Sequence, residues 1–177
     1  LTASDLKKGA VVEVAFIDGP KLMIYPVSAR AKTIRVMGPE QTKANVYRNT
    51  QFGFSFSLPE SWKDYQILTE KWEGRALDDR ANGKIVETGL IIKIRHPQWT
   101  SENPRQDIPI MVFTLNQWDE MQQDKFHIGA APMNPKKLGR NSKFVFALPA
   151  RYNYAFPTGY EEVERILENN PIKTFEE

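Results

Sequence analysis

The sequence predicts an α+β fold in which an antiparallel β-sheet is flanked by helices. Large apolar and small residues alternate strictly over residues 52–58, which places four apolar side chains on one face of a half-buried strand. Further strand-like runs follow downstream, separated by polar or proline-containing turns. Two helix-start signals, Thr114-x-x-Gln and Thr158-x-x-Glu, match the capping box. Several strands with two capped helices indicate an α+β fold rather than an all-helical chain or a closed barrel.

Residues 1–41 are predicted to form a small N-terminal β-meander. Three short β-branched runs, at 11–17, 21–25 and 32–37, are separated by turn signals. So few strands bury little apolar surface by themselves, and we expect this unit to be stabilised by packing against other strands. The composition of residues 38–43 is typical of a linker, so a second domain is predicted over residues 45–177.

The second domain reads from front to back as strands interrupted by two helices. The run at 108–114 is apolar throughout and predicts a strand buried on both faces. The remaining predicted elements are strands at 52–58, 65–77 and 88–95, a helix from Thr114 to about Phe126, a loop over 129–138, a long or bent strand over 143–156, a helix opening at Thr158, and a closing strand at 172–175.

Charge and cysteine content exclude several classes of function. The chain has 24 basic and 22 acidic side chains, interspersed rather than clustered, so no nucleic-acid partner is expected. The absence of cysteine excludes disulfides, thiolate metal sites and cysteine nucleophiles. It fits a cytosolic protein and equally a secreted protein of a Gram-positive bacterium. No apolar run approaches the roughly 20 residues of a membrane-spanning helix.

One segment resembles the opening of the PsbP-like superfamily. It runs from Tyr47 to Trp62 and reads Tyr-Arg-Asn-Thr-Gln-Phe-Gly-Phe-Ser-Phe-Ser-Leu-Pro-Glu-Ser-Trp. The last predicted helix and the strand after Pro171 are similar to the end of that fold. The resemblance covers roughly residues 45–175 and implies an α/β/α sandwich around an antiparallel sheet. The segment from Leu6 to Ala31 is similar to the end of a small OB-like domain, with a simple β extension as the alternative.

The resemblance also implies a type of function. PsbP-like domains occur in many lipoproteins and secreted proteins of Gram-positive bacteria, where assigned roles are mostly accessory or binding roles. We therefore expect a non-catalytic, extracytoplasmic protein, with a possible membrane tether through a lipidated N-terminus upstream of Leu1. A start at Leu1 fits either a removed leader or a trimmed chain. A cytosolic protein-interaction module of the same fold is the first alternative.

Tests for catalytic and metal-binding motifs predict no enzyme, no metal and no cofactor. The chain has neither a Gly-x-Ser-x-Gly elbow nor a glycine-rich nucleotide motif, and the two histidines, His96 and His127, lack zinc-site spacing. The acidic loop over 78–83 has Arg80 where a calcium loop needs an oxygen ligand. A hydrolase using His96 remains an alternative, and sequence alone leaves open a convergence of three carboxylates, Glu102, Asp107 and Asp119.

Two clusters of arginines and aromatic residues are the candidate binding residues. These residue types recognise anionic or aromatic ligands and recur at interface hot spots, and the first cluster follows a core strand and enters a loop. The alternative is that the aromatic rings cap the core while the arginines pair with acids; Trp62, Trp72 and Trp118 are expected in the core. The candidate ligand-binding residues are Arg95, His96, Trp99, Arg140, Arg151, Tyr152 and Tyr154.

Overall fold

A computed structural model describes residues 12–16, 31–36, 45–77, 83–129 and 133–176. The chain divides into two compact units, Leu1–Lys43 and Ala44–Glu177. In the first unit, β1 (Val12–Phe16) pairs antiparallel with β2 (Ala31–Val36). The predicted strand over 21–25 and the predicted linker lie outside the described residues.

The larger unit is built on a six-stranded antiparallel sheet. Its spatial order is β8-β5-β6-β7-β10-β9, so the long β5–β6 hairpin and β7 form its middle. The strands are β5 (Gln66–Ala76), β6 (Ile85–Arg95), β7 (Ile108–Thr114), β8 (Phe126–Ile128), β9 (Lys136–Arg140) and β10 (Phe144–Leu148).

A second, three-stranded sheet has β4 at its centre. Its strands are β3 (Asn45–Asn49), β4 (Phe54–Leu58) and β11 (Ile172–Thr174), and both pairings are antiparallel. The Asn141 side chain ties the two sheets together, because its Nδ2 donates to the Phe52 carbonyl at 2.8 Å and its Oδ1 accepts from the Phe144 N–H at 2.8 Å.

The two faces of β7 enter two separate hydrophobic clusters, as the prediction of a doubly buried strand requires. Residues 108, 110 and 112 pack with β4 and with α2 (Tyr160–Glu168) on one face. Met111 and Phe113 pack with Trp72 and α1 (Leu115–Gln122) on the other face. One face of the sheet is therefore covered by β4 and α2 and the other by α1, and the α+β class is confirmed.

The prediction for the start of the first helix is confirmed. Thr114 Oγ1 accepts from the Gln117 N–H at 3.2 Å, and the Gln117 side chain accepts from the Thr114 N–H at 3.0 Å. The prediction for the second helix is wrong in detail. Gly159, at φ 84°, is the N-cap residue and Thr158 provides no side-chain cap. The carbonyl of Thr158 instead accepts from the Gln106 N–H at 2.9 Å, so a neighbouring loop fixes this backbone.

Other predicted boundaries also need correction. Phe52 belongs to the turn before β4, and only the rest of the alternating run forms the strand. The first helix ends at Gln122, and Phe126 opens the short strand β8. The predicted loop over 129–138 contains the start of β9. The predicted long strand over 143–156 ends at Leu148, after which the chain turns repeatedly.

Candidate functional site

Two of the segments that carry predicted binding residues leave the same end of the six-stranded sheet. β6 ends at Arg95 and β10 ends at Leu148, while the antiparallel strand between them, β7, begins at Ile108. Arg140 lies elsewhere. Lys136, not Arg140, is the β9 residue opposite Leu148, and Arg140 is four residues further along, about 13 Å at the usual strand rise. Arg140 is therefore separated from the other candidates.

Arg95 is occupied by structural contacts. Its guanidinium donates two hydrogen bonds to the Asp107 carboxylate, at 3.1 and 2.8 Å, and lies 3.8 Å from the centre of the Trp99 ring. The hydrogen bond from Arg95 to Asp107 raises the pKa of Arg95. This pair joins the end of β6 to the start of β7, so it stabilises the sheet end rather than presenting a free charge.

His96 is buried and its ring is fixed by contacts that do not suit a catalytic base. The side chain is 4% exposed and packs edge-on against Trp62 at 4.9 Å between ring centres. Its Nδ1 accepts from the Gln98 N–H at 3.1 Å, so the neutral ring carries its proton on Nε2. Burial, followed by the nearby charge of Arg105, lowers the pKa of His96, with Glu162 opposing them. A backbone donor thus occupies the nitrogen that an orienting carboxylate would bind in a hydrolytic triad.

A set of polar side chains surrounds His96 where the 97–107 loop meets the start of α2. Arg105 Nη2 is 3.7 Å from the Glu162 carboxylate, which also accepts from the Ser61 hydroxyl at 2.6 Å. Gln106 Nε2 donates to the carbonyls of Asp107 at 2.7 Å and Tyr152 at 3.4 Å. These contacts, which sequence reasoning missed, fasten the loop to α2 and to the segment after β10.

That segment, residues 149–157, is named here the aromatic loop, and it presents two exposed rings. Tyr154 is 73% exposed and Phe156 is 66% exposed. The exposed Arg151 guanidinium lies 5.7 Å from the Tyr154 ring centre, and Phe156 contacts Tyr160 edge-on at 5.1 Å. The loop therefore exposes an arginine and two aromatic rings between residues 151 and 156.

The aromatic loop is held by its other side chains. Asn153 Nδ2 donates to the Glu164 carboxylate of α2 at 2.8 Å, and the half-buried Tyr152 packs against the core. Burial, followed by the charge of Glu164, raises the pKa of Tyr152. Arg151 and Phe156 adopt φ values of 58° and 46°, a region that bulky residues rarely occupy. The backbone that carries the exposed side chains is therefore held by contacts with α2 and the core.

Two open clefts border the aromatic loop. The first, the Met111 cleft, has a volume of about 320 Å³ and is lined by Met111, Ile128, Gly129, Pro135, Pro149, Ala150, Arg151 and Tyr154. The second, the Lys136 cleft, has a volume of about 290 Å³ and is lined by Lys136, Leu148, Tyr152, Glu164, Leu167 and Glu168. Among their described lining residues, the first cleft is apolar with one arginine, whereas the second carries charges of both signs.

The remaining candidates for metal or acid–base chemistry are dispersed. No group of three or more His, Asp or Glu side chains that could hold a metal occurs in the described ranges. Glu102 and Asp119 are exposed, while Asp107 is bound to Arg95. Of the acidic loop over 78–83, only Gly83 lies within the described residues. Neither helix described has the length and apolar character needed to cross a bilayer.

Comparison with protein-family models, with curated proteins and with solved structures finds no match for this chain. The candidate site is therefore defined by the geometry of its residues alone. That geometry brings Arg151 and Tyr154 together in the Met111 cleft and places Tyr152 in the Lys136 cleft. The other predicted residues line neither cleft: Arg95, His96, Trp99 and Arg140. Phe156 and Met133, which is 58% exposed, are exposed apolar residues that sequence reasoning missed. The signal for Phe156 was its place two residues after Tyr154, immediately before Pro157.

Proposed function

We propose that this chain is a non-catalytic binding or accessory protein whose ligand docks on the aromatic loop and the Met111 cleft. The observation that carries the proposal is a loop anchored through Tyr152 and Asn153 that nevertheless exposes Tyr154 and Phe156 beside an apolar cleft. Exposed large aromatic groups cost free energy in water and are typical of interaction sites. A rigid backbone under them lowers the ordering cost of association.

The setting of His96 supports a binding role over the hydrolase alternative. A general base needs an available lone pair within reach of substrate, but Nδ1 of His96 accepts from a backbone N–H and the side chain is 4% exposed. Incubation with a panel of ester, amide and glycoside substrates should give no turnover above that of a His96→Ala variant. Turnover that disappears in His96→Ala would replace the binding proposal with the hydrolase.

The PsbP-like frame and the extracytoplasmic location are part of the same proposal. A helix on each face of an antiparallel sheet supports an α/β/α sandwich, and the lack of cysteine is compatible with secretion from a Gram-positive cell. Fractionation of cells of the source organism with an antibody to this chain should recover it outside the cytoplasm or at the membrane. Recovery in the cytosol would favour the cytosolic interaction module instead.

Photo-crosslinking from the aromatic loop tests the binding site directly. A photoreactive phenylalanine analogue at position 154 should give a covalent adduct in the cells of origin, since Tyr154 is 73% exposed at the proposed surface. The matched control carries the same analogue at Lys71, an exposed residue of β5 on a different part of the sheet. Equal adduct formation at both positions, or none at position 154, would count against the site.

A further inference from the structure

The chemistry of the Met111 cleft indicates what kind of group it can hold. Apolar side chains and backbone form most of its wall, and Arg151 is the one charged residue among its described lining residues. An apolar wall favours burial of an aliphatic or aromatic group. A guanidinium at the rim favours a carboxylate, to which it can donate two parallel hydrogen bonds. The cleft is thus complementary to an apolar group with a negative charge beside it.

Exposed apolar residues flank this cleft in sequence, because Phe156 lies two residues after Tyr154 and Met133 two residues before Pro135. Phe156, at 66% exposure, and Met133, at 58%, are not among its lining residues. A small molecule inside a cleft of about 320 Å³ would leave both of them in water. A polypeptide segment that crosses the cleft can cover them in addition, which favours a polypeptide over a small metabolite.

The absence of an ion pair at Arg151 among the described residues favours an acidic group on the ligand. Within the described ranges, no carboxylate forms an ion pair with Arg151, whereas Arg95 and Arg105 each have an acidic partner. Its guanidinium instead lies 5.7 Å from the centre of the Tyr154 ring, and the residue is exposed. A ligand carboxylate can therefore bind Arg151 without displacing an existing ion pair.

Building on the proposed function, we propose that the ligand is an extended acidic–apolar segment of another polypeptide. One large apolar side chain enters the Met111 cleft, a neighbouring carboxylate binds Arg151, and the flanking residues cover Tyr154 and Phe156. The aromatic loop is already held by Asn153 and by its turn hydrogen bonds, so association requires little rearrangement of this surface.

The test is selection from a random twelve-residue peptide library displayed on phage, with the full 177-residue chain as bait. Enriched peptides should carry Asp or Glu within a few positions of Leu, Ile, Phe or Trp. Synthetic copies should bind with a Kd that weakens about tenfold in Arg151→Gly and in Tyr154→Ser. Glycine suits the positive φ of Arg151, so Arg151→Gly removes the charge without distorting the backbone. Arg151→Lys should recover part of the affinity.

Control variants separate this surface from exposed residues in general. Arg140→Ala removes an exposed arginine at the other end of β9, and Val46→Ser removes a 51%-exposed apolar residue of β3. Neither should change the Kd. Enrichment of basic peptides, no enrichment at all, or equal losses in the control variants would overturn the inference. If the crosslink at position 154 forms while the library yields no acidic–apolar peptide, the binding function stands and the polypeptide ligand is rejected.

Discussion

Gly53 occupies a position where a side chain would collide with two other segments of the chain. Its φ is 71°, and a Cβ there would lie 2.5 Å from the Phe175 carbonyl oxygen and 2.7 Å from Asn141 Nδ2. Both neighbours belong to the contact that joins the two sheets. We expect Gly53→Ala to lower the free energy of unfolding by about 2 kcal/mol or more, measured by urea denaturation.

Gly83 provides the matched control for that substitution. It has a similar φ of 79°, but no described atom lies within 4 Å of the position its Cβ would take. Gly83→Ala therefore introduces backbone strain without a collision and should cost about 1 kcal/mol. Equal losses in the two variants would show that crowding around Gly53 contributes nothing.

His96 gives the fold a dependence on pH with a definite sign. Burial and Arg105 lower its pKa in the folded chain below the ordinary value of 6.5. When the pH falls below 6.5, His96 binds a proton in the unfolded chain but not in the folded chain. The free energy of unfolding therefore decreases until the pH reaches the pKa of His96 in the folded chain. At higher pH this contribution is fully present.

Urea denaturation at about pH 8 and about pH 5.5 measures this effect. The loss of stability between the two should be larger in the unchanged chain than in a His96→Gln variant, which lacks the titrating ring. Identical pH dependence in both proteins would contradict the argument, because the carboxylates that titrate nearby are common to them.

At this scale the sequence identified suitable residue types but not their partners. Arg151 and Tyr154 were predicted as binding residues and lie together on an exposed surface. Arg95 was predicted for the same reason, yet its charge is neutralised by Asp107, twelve residues along the chain. The spacing that pairs them depends on the register of β6 against β7, which residue types alone do not reveal.

The first helix shows how one capping residue can serve two elements. Thr114 and Gln117 satisfy each other, and Gln117 Nε2 also donates to the Thr88 carbonyl at 3.0 Å. Thr114→Ala removes the cap and should lower the free energy of unfolding by about 1 kcal/mol. Asn116→Ala, an exposed change in the same helix, should alter it by no more than about 0.5 kcal/mol. Thermal unfolding of the two variants provides the comparison.

The predicted boundaries of helices and strands were wrong where tertiary contacts outweighed the local sequence pattern. Thr158 fits a capping box, but its carbonyl is bound by the 97–107 loop and Gly159 opens the helix instead. The sequence Lys136 to Arg140 lacks apolar alternation because most of its side chains are exposed, and β9 is defined by its pairing with β10 at the edge of the six-stranded sheet. By residue type, Phe126 is compatible with either a helix end or a strand. Its pairing opposite Ala76 places it in β8.

For the whole molecule, the larger unit contains both hydrophobic clusters within its own residues. We therefore expect Ala44–Glu177, expressed alone, to fold and to unfold in one cooperative transition followed by circular dichroism and tryptophan fluorescence. A fragment with helix and strand content but no cooperative transition would show that the core requires residues 1–43.

The general architecture could be predicted from the sequence because strands buried on one face and strands buried on both faces have different apolar patterns. The alternation of Phe54, Phe56 and Leu58 marks a strand with one buried face, and the continuous apolar run of β7 marks a strand with two. Neither pattern specifies that the strands divide between two sheets. That division depends on contacts such as those of Asn141, which link distant segments through a single amide.

The position of β4 has a consequence for how the chain acquires its structure. β4 lies between β3, its neighbour in sequence, and β11, whose Lys173 is paired with Ser55 118 residues earlier. Ser55 is therefore synthesised long before Lys173, and one edge of the β3–β4 hairpin stays unpaired until β11 follows. Closing so large a loop is slow, so the pairing of β11 with β4 should be a late step of folding, before which a chaperone can hold this hairpin.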